Sequence, residues 1–336
     1  MKALSFVDNK IKILDIDEPT RIEEYEVIVE VKYSTFCKDD VRFIDDMDIF
    51  TQNGVVGHEA AGVIVKAGRV ACANGFCEGV RVMIMPIDIC GKCEKCIQQK
   101  YNMCNEMKLT LGTMTKYVVR RYTGLFRISD KLTYKQAAIL EPVATVVSAI
   151  NKFKISYDSD VLIIGAGFMG LLFLKIFKMR GVKSVTVVEP IEERKKVALN
   201  HGADYVISPN SSNFDIQLLD ISDYSGFNII VETSSNASVL DKMIMNIARN
   251  GTILMFSHYG DMKHIKFSLT HMYTSSAQVI WSTVFVAEDL VLADYLIRKL
   301  KLDENITAEY SINNSMRAVD EYLGFKQYKI GINNFD

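Results

Sequence analysis

Two rhythms of apolar and polar positions divide the 336-residue chain. Up to about residue 140, short Val/Ile/Tyr-rich runs at 26–33, 62–65 and 80–85 alternate with Gly and Asp/Asn turns, which predicts a β-rich domain. From about Glu141 the order becomes strand, glycine turn, long helix and strand again, the pattern of a parallel sheet covered by helices. Strands are predicted at 161–164, 184–188, 205–207, 228–231, 252–256 and 279–280, enough for a complete dinucleotide-binding sheet. A helix over 288–300, a second around 316–323 and a short strand near 328–332 then return to the first domain. The fold class is therefore α/β, a doubly wound Rossmann sheet plus a β-rich domain, with segments 1–141, 142–286 and 287–336.

Composition narrows the partners. With 39 basic and 41 acidic side chains interspersed, the net charge of −2 offers no field of one sign for nucleic acid or anionic lipid. Small neutral or weakly charged ligands are the default. The longest apolar stretch, 161–174, falls short of the ~20 residues that cross a bilayer, and three glycines break it. The apolar stretch at 3–7 is too short for a signal-peptide core, so a cytoplasmic location is expected.

The segment Val161-Leu-Ile-Ile-Gly165-Ala-Gly167-Phe168-Met169-Gly170 is an apolar strand followed by G-x-G-x-x-G and an apolar helix. Gly165 permits the tight turn, Gly167 lets a pyrophosphate approach the backbone, and Gly170 lets helix and strand pack closely. Nineteen residues after Gly170 the second strand ends at Glu189, where a carboxylate can accept from both adenosine-ribose hydroxyls and would repel a 2′-phosphate. NAD is favoured over NADP. Phe168, Met169 and Arg194 join these residues as cofactor-binding candidates.

Four cysteines, Cys90, Cys93, Cys96 and Cys104, fall within fifteen residues. Thiolates so spaced can wrap one tetrahedral ion, and a closed structural zinc is the expected occupant. An iron–sulfur centre is the nearest rival, but its bacterial spacing brings the fourth cysteine sooner and follows it with proline, whereas seven residues intervene here and Asn105 follows. Disulfides are the bland alternative, and nothing in the sequence suggests export. Cys72 and Cys77 are expected as unligated thiols.

A second constellation is dispersed. Cys37-Lys38-Asp39-Asp40, Gly57-His58-Glu59 and Glu141-Pro142 supply a thiolate, an imidazole and carboxylates from three places, the donor set of a zinc site with a position left open for water or substrate.

Taken together, Cys37 and Asp40, GHEAAGVIVKAG from Gly57, the cysteine lobe ending YNMC, LEPVAT from Leu140 and VLIIGAGFMG resemble, in order and spacing, the zinc-dependent medium-chain dehydrogenase/reductase family of alcohol, sorbitol and threonine dehydrogenases. The resemblance covers nearly the whole chain. It implies a GroES-like catalytic domain, a catalytic zinc held by Cys37, His58 and Glu141, with Glu59 as an alternate or water-mediated ligand, and a structural zinc in the 90–104 lobe, so two zinc ions and one NAD per chain. It implies hydride transfer between a secondary alcohol and NAD, Asp40 orienting His58, and a homo-oligomer, dimer or tetramer, built through the nucleotide domain. The Glu-Pro form at Glu141 is similar to the polyol, sugar and threonine enzymes, which leans toward polyols, cyclitols, sugars or amino alcohols. The alternatives are a zinc-free quinone or enone reductase, which lacks the Cys37/His58 pair and the cysteine lobe, and a non-catalytic NAD-binding protein.

Two positions near Cys37 depart from the family pattern. Asp39 replaces the usual Ser/Thr of the proton relay and could accept the proton or bind a substrate hydroxyl or amine. Arg42 replaces a histidine, and an arginine binds anions but does not shuttle protons at neutral pH. Lys38 occupies a position that often supports the pyrophosphate.

Overall fold

The computed structural model describes residues 1–7, 10–42, 54–259, 264–324 and 326–336, with only the backbone at 41 and 42. Two compact units result, one formed by Met1–Ala144 with Phe285–Asp336, the other by Thr145–Val284.

In the first unit β1 (Lys2–Val7) and β2 (Lys10–Asp15) pair antiparallel. Five strands follow around a common core: β3 (Glu26–Phe36), β4 (Glu59–Ala67), β5 (Arg81–Ile84), and, after a short ribbon of β6 (Ile87–Asp88) and β7 (Lys108–Leu109), β8 (Tyr117–Arg121) and β9 (Leu125–Arg127). Val27, Val29, Val31, Ile64, Val82 and Ile84 fill that core, which suits antiparallel strands that bury one face.

The second unit holds β10 (Asp160–Ile164), β11 (Ser184–Val188), β12 (Tyr205–Ile207), β13 (Phe227–Glu232), β14 (Ile247–Met255) and β15 (Gln278–Trp281) in one parallel sheet of order β12-β11-β10-β13-β14-β15. Every residue of β10 and β11 is buried, as expected where helices cover both faces. The strand order reverses between β10 and β13, so the crevice at their carboxyl ends is the switch point at which such sheets bind ligands. The helix Phe168–Arg180 leaves β10 through the glycine turn and stops at Gly181, whose left-handed φ of 73° closes its end.

The chain then re-enters the first unit through the helix Ala287–Leu300, β16 (Ala308–Ser311), the helix Ser315–Leu323 and β17 (Ile330–Asn334). These two strands complete a sheet of order β16-β17-β3-β4-β5-β9, with β8 paired to β3. β17 lies against the end of β3, Ile330 opposite Phe36, which carries the residue before it, Lys329, toward Cys37.

Two sequence expectations change. β14 begins at Ile247, not 252, because Asn250 at φ 57° and Gly251 break its apolar run and shift the register against β13. Cys72 and Cys77, expected as free thiols, are joined by a disulfide. The chain turns back at Gly75, φ 87°, bringing the two Cα atoms to 4.3 Å, a closeness that their separation in sequence does not announce.

Candidate metal centres and nucleotide site

The first cluster is built where β3 meets β4. Thr35 lies opposite Glu59 in the antiparallel register, and Cys37 follows the end of β3. The short helix Asp39–Arg42 folds back so that Asp40 Oδ2 accepts the Cys37 N–H at 2.8 Å. Gly57 adopts φ +100°, and a Cβ there would stand 2.7 Å from both Met114 and Thr113 side chains, so only glycine lets His58 approach along this path.

His58 Nδ1 lies 2.6 Å from Asp40 Oδ1 in a buried pair. The carboxylate orients the ring through Nδ1, which leaves Nε2 as the nitrogen that could hold a metal ion. Burial depresses the imidazole's proton affinity, but the charges of Asp40 and then Cys37 outweigh it and raise His58 well above its ordinary value. Burial pushes the Cys37 thiol up to about 11, so a metal ion rather than the fold alone must stabilise its thiolate. Cys37, His58 and Glu59 offer donor atoms that all lie within 4.8 Å of one another.

Glu59 is held from two sides. Thr35 Oγ1 donates to Oε2, and Lys329 Nζ lies 2.6 Å from Oε1 and 2.5 Å from Oε2. Lys329 is fully buried, and the pull of Glu59 and Cys37 overcomes burial to hold its ammonium above the usual lysine value. Tyr322 packs edge-on against Phe36 at 5.0 Å and feels the charges of Cys37, Glu59, Asp40 and Asp39. Neither Lys329 nor Tyr322 was anticipated from the sequence.

Glu141 lies in the first turn of the helix Leu140–Ile150. It is outside the tight three-residue cluster but inside its electrostatic reach: burial first, with Glu59 and Asp39 adding and His58 and Lys329 opposing, lifts its carboxyl to about 7. Asp39 is half-buried and Lys38 exposed in the same turn, and the Arg42 side chain lies outside the described residues.

The second cluster comprises Cys90, Cys93, Cys96 and Cys104, whose sulfurs all lie within 4.8 Å of one another. The Lys92 and Cys93 backbone N–H groups bring Cys90 down to about 7, while burial drives Cys96 up to about 12. Four converging sulfurs of this kind suit a tetrahedral thiophilic ion. The lobe is tied to the returning segment by the Ala287 N–H donating to Gln99 O at 3.3 Å.

The nucleotide candidates converge at the carboxyl ends of β10 and β11. Gly165 has φ +101°, and a Cβ on Gly170 would lie 2.0 Å from Gly165 O, whereas Gly167 faces open space. Such a cradle fits a pyrophosphate approaching the backbone at the start of the helix Phe168–Arg180. Phe168 is buried and Met169 half-buried in the first turn of that helix. Glu189 Oε2 accepts the Ala166 N–H at 2.8 Å and Oε1 the Ile191 N–H at 3.0 Å, which locks the buried acid against the glycine turn. Arg194, half-buried, lies in the helix Glu192–Asn200 that follows.

Residues 23–130 match the alcohol dehydrogenase GroES-like domain family and residues 169–293 the zinc-binding dehydrogenase family. The L-threonine 3-dehydrogenase of Pyrococcus horikoshii is 27% identical over 315 residues, covering 89% of this chain and 88% of the relative. The sorbitol dehydrogenase of Bacillus subtilis is 26% identical over 253 residues, 73% of this chain and 71% of that protein. Among solved structures, the galactitol-1-phosphate dehydrogenase of Escherichia coli superposes with a TM-score of 0.86 at 20% identity, over 99% of this chain and 100% of that one. No helix among the described residues is long and apolar enough to cross a membrane. Both family matches, joined to a Rossmann-like sheet and two converging donor clusters, place the chain in the zinc-dependent medium-chain dehydrogenase family, as an oxidoreductase of the zinc-type alcohol dehydrogenase kind.

Proposed function

We propose that the protein oxidises a secondary alcohol, a polyol, cyclitol, sugar or amino alcohol, with NAD as acceptor and with two zinc ions per chain, one in each donor cluster. The observation that carries the reading is the convergence of half-buried Cys37 with buried His58 and Glu59, with Asp40 behind the imidazole. Cys37, His58 and Glu141 would hold the catalytic ion, with Glu59 as the alternate donor, and Cys90, Cys93, Cys96 and Cys104 the structural one. When bound, the zinc lowers the pKa of the alcohol as a Lewis acid and the nicotinamide accepts hydride.

The chain's own residues do the rest. Asp40 orients the His58 ring through Nδ1, which leaves Nε2 for the metal ion. Lys329 and Thr35 fix the position of the Glu59 carboxylate beside it. The Asp39 carboxylate, in the turn between Cys37 and Asp40, accepts the hydroxyl proton. Glu189 binds the adenosine ribose and disfavours a 2′-phosphate. Lys38, Arg42 and Arg194 are the basic candidates for binding the cofactor phosphates.

A homo-oligomer completes the proposal. β15 ends the parallel sheet with Trp281 61% exposed, and an edge of this kind, with an exposed aromatic, is suited to pairing with a second copy of the chain.

The test is metal analysis together with a panel of polyols and amino alcohols, following the absorbance of reduced cofactor. Two zinc ions and turnover of at least one secondary alcohol with NAD support the reading. Zinc and NAD both bound with no turnover across the panel would point to a binding protein, and absence of catalytic zinc to an enone reductase.

A further inference from the structure

A buried carboxylate at the switch point has no place in the chemistry above. Glu232 ends β13, pairs in register with Ile164 of β10, and is fully buried one residue's width from the glycine turn. Its Oε1 gathers three donors: the Ser234 N–H at 2.6 Å, the Ser234 hydroxyl at 2.8 Å and the Ser235 N–H at 2.7 Å. Oε2 is buried and close to the Tyr259 phenol. The Tyr259 phenol lies within its field, pushed far above its ordinary range by burial and then by the Glu232 charge.

These bonds curl residues 232–236 into a tight turn. Ser235 is forced to φ 58°, and Ser234 Oγ in turn accepts the Asn236 N–H at 3.0 Å, just before Asn236 caps the helix Ala237–Ile244. The curled turn is pressed against the glycine turn. Thr233 Oγ1 donates to Ile164 O at 2.8 Å, and a Cβ on Gly165 would meet Thr233 Oγ1 at 3.1 Å and Ser234 Cβ at 3.4 Å.

Burying a carboxylate is costly, and one that gathers three local donors on a single oxygen stabilises one turn geometry. That geometry borders the crevice on the side of β10 opposite Glu189. A dinucleotide lying across the strand ends with its adenosine ribose on Glu189 places its nicotinamide half on the β13 side.

We infer that Glu232 is a positioning residue for the nicotinamide half of the dinucleotide: it shapes the 232–236 turn on which that half rests. The inference depends on the NAD reading proposed above. Its distinguishing consequence is that the two halves of the ligand respond differently, because the adenosine half is held by Glu189 and the glycine turn.

The experiment measures binding of NADH, by its fluorescence, and of AMP, by calorimetry, to the zinc-loaded full chain. Glu232→Leu removes the acceptor and should weaken NADH about tenfold, the equivalent of one to two lost hydrogen bonds, while AMP stays within about twofold. Glu232→Gln keeps an acceptor oxygen and should restore NADH binding to within about threefold of the parent. Ser234→Ala, which removes one of the three donors to Glu232 and the acceptor of the Asn236 N–H, should weaken NADH about threefold with AMP unchanged and carries the test if the leucine variant does not fold. Equal loss of NADH and AMP, or unchanged NADH binding in a folded leucine variant and in Ser234→Ala, overturns the inference. A parent protein that binds AMP but no NADH overturns the cofactor reading itself, a result that no Glu232 variant can mimic.

Discussion

The ammonium of Lys329 lies 2.6 Å from Oε1 of Glu59, and the two side chains are separated by 270 residues of sequence and shut away from solvent together. A buried ion pair of this kind contributes little net stability compared with an apolar pair of the same shape, yet breaking it is severe, because the surviving charge is left without a partner. Its place is functional. The pair fixes the Glu59 carboxylate beside Cys37 and His58.

Lys329→Met should therefore cost about 3–5 kcal/mol of unfolding free energy, read from the denaturant midpoint at constant slope. Adding Glu59→Gln should recover most of that loss, since the orphaned charge is gone. A double variant no more stable than the single one would show that Lys329 acts through packing instead.

Glu141 gives the metal-free protein a pH signature. Its carboxyl is raised from 4.5 to about 7, chiefly by burial, so the folded chain binds that proton more tightly than the unfolded one. The stabilisation is complete below about pH 4.5 and is lost as pH rises through about 7. In zinc-stripped protein the stability gap between the parent and Glu141→Gln should change across that window and be level on either side. Zinc affinity should rise over the same interval, because the ligand must be deprotonated. A gap that does not vary with pH would remove Glu141 from the buried cluster.

How much of this was legible in the residues depends on the kind of signal. β10 and β11 were readable because strands buried on both faces are continuous apolar runs, and the glycine turn because its spacing follows from sterics. The convergence of the cysteine lobe was readable because all four sulfurs are local in sequence. Lys329 was not: a lone lysine beside a short strand reads as a solvated edge, and its partner is fixed only when β17 returns to β3. Glu232 was hidden for the same reason, as the acid after an apolar strand gives no sign that three local donors will fold onto it. The early start of β14 was masked by Asn250 and Gly251, which look like a turn and are an irregularity within a strand.

The cysteine lobe should unfold without its ion while the rest of the chain persists. Cys96 is one of the two buried members with Cys104, and Cys96→Ser should lower the zinc content from two to one per chain by elemental analysis. Because the lobe meets the helix Ala287–Leu300 through Gln99, its loss should also lower the thermal midpoint of the first unit, with the Rossmann sheet's transition unchanged. Retention of two zinc ions by the variant would contradict a four-sulfur site.

Two glycines three residues apart should behave in opposite ways. A Cβ on Gly170 would stand 2.0 Å from Gly165 O, a contact that no side-chain motion relieves, so Gly170→Ala must push the helix Phe168–Arg180 off β10. The expected result is a loss of more than about 3 kcal/mol, or no folded protein at all. A Cβ on Gly167 meets nothing within 4 Å, and its φ of −73° suits any residue, so Gly167→Ala should fold with unchanged stability. Its methyl would nevertheless occupy the space that a pyrophosphate needs against the backbone, and NADH affinity should fall by about tenfold or more. Thermal melts and NADH titrations on the two variants separate packing from binding at one turn; normal NADH affinity in Gly167→Ala would mean that the dinucleotide does not cross the chain there.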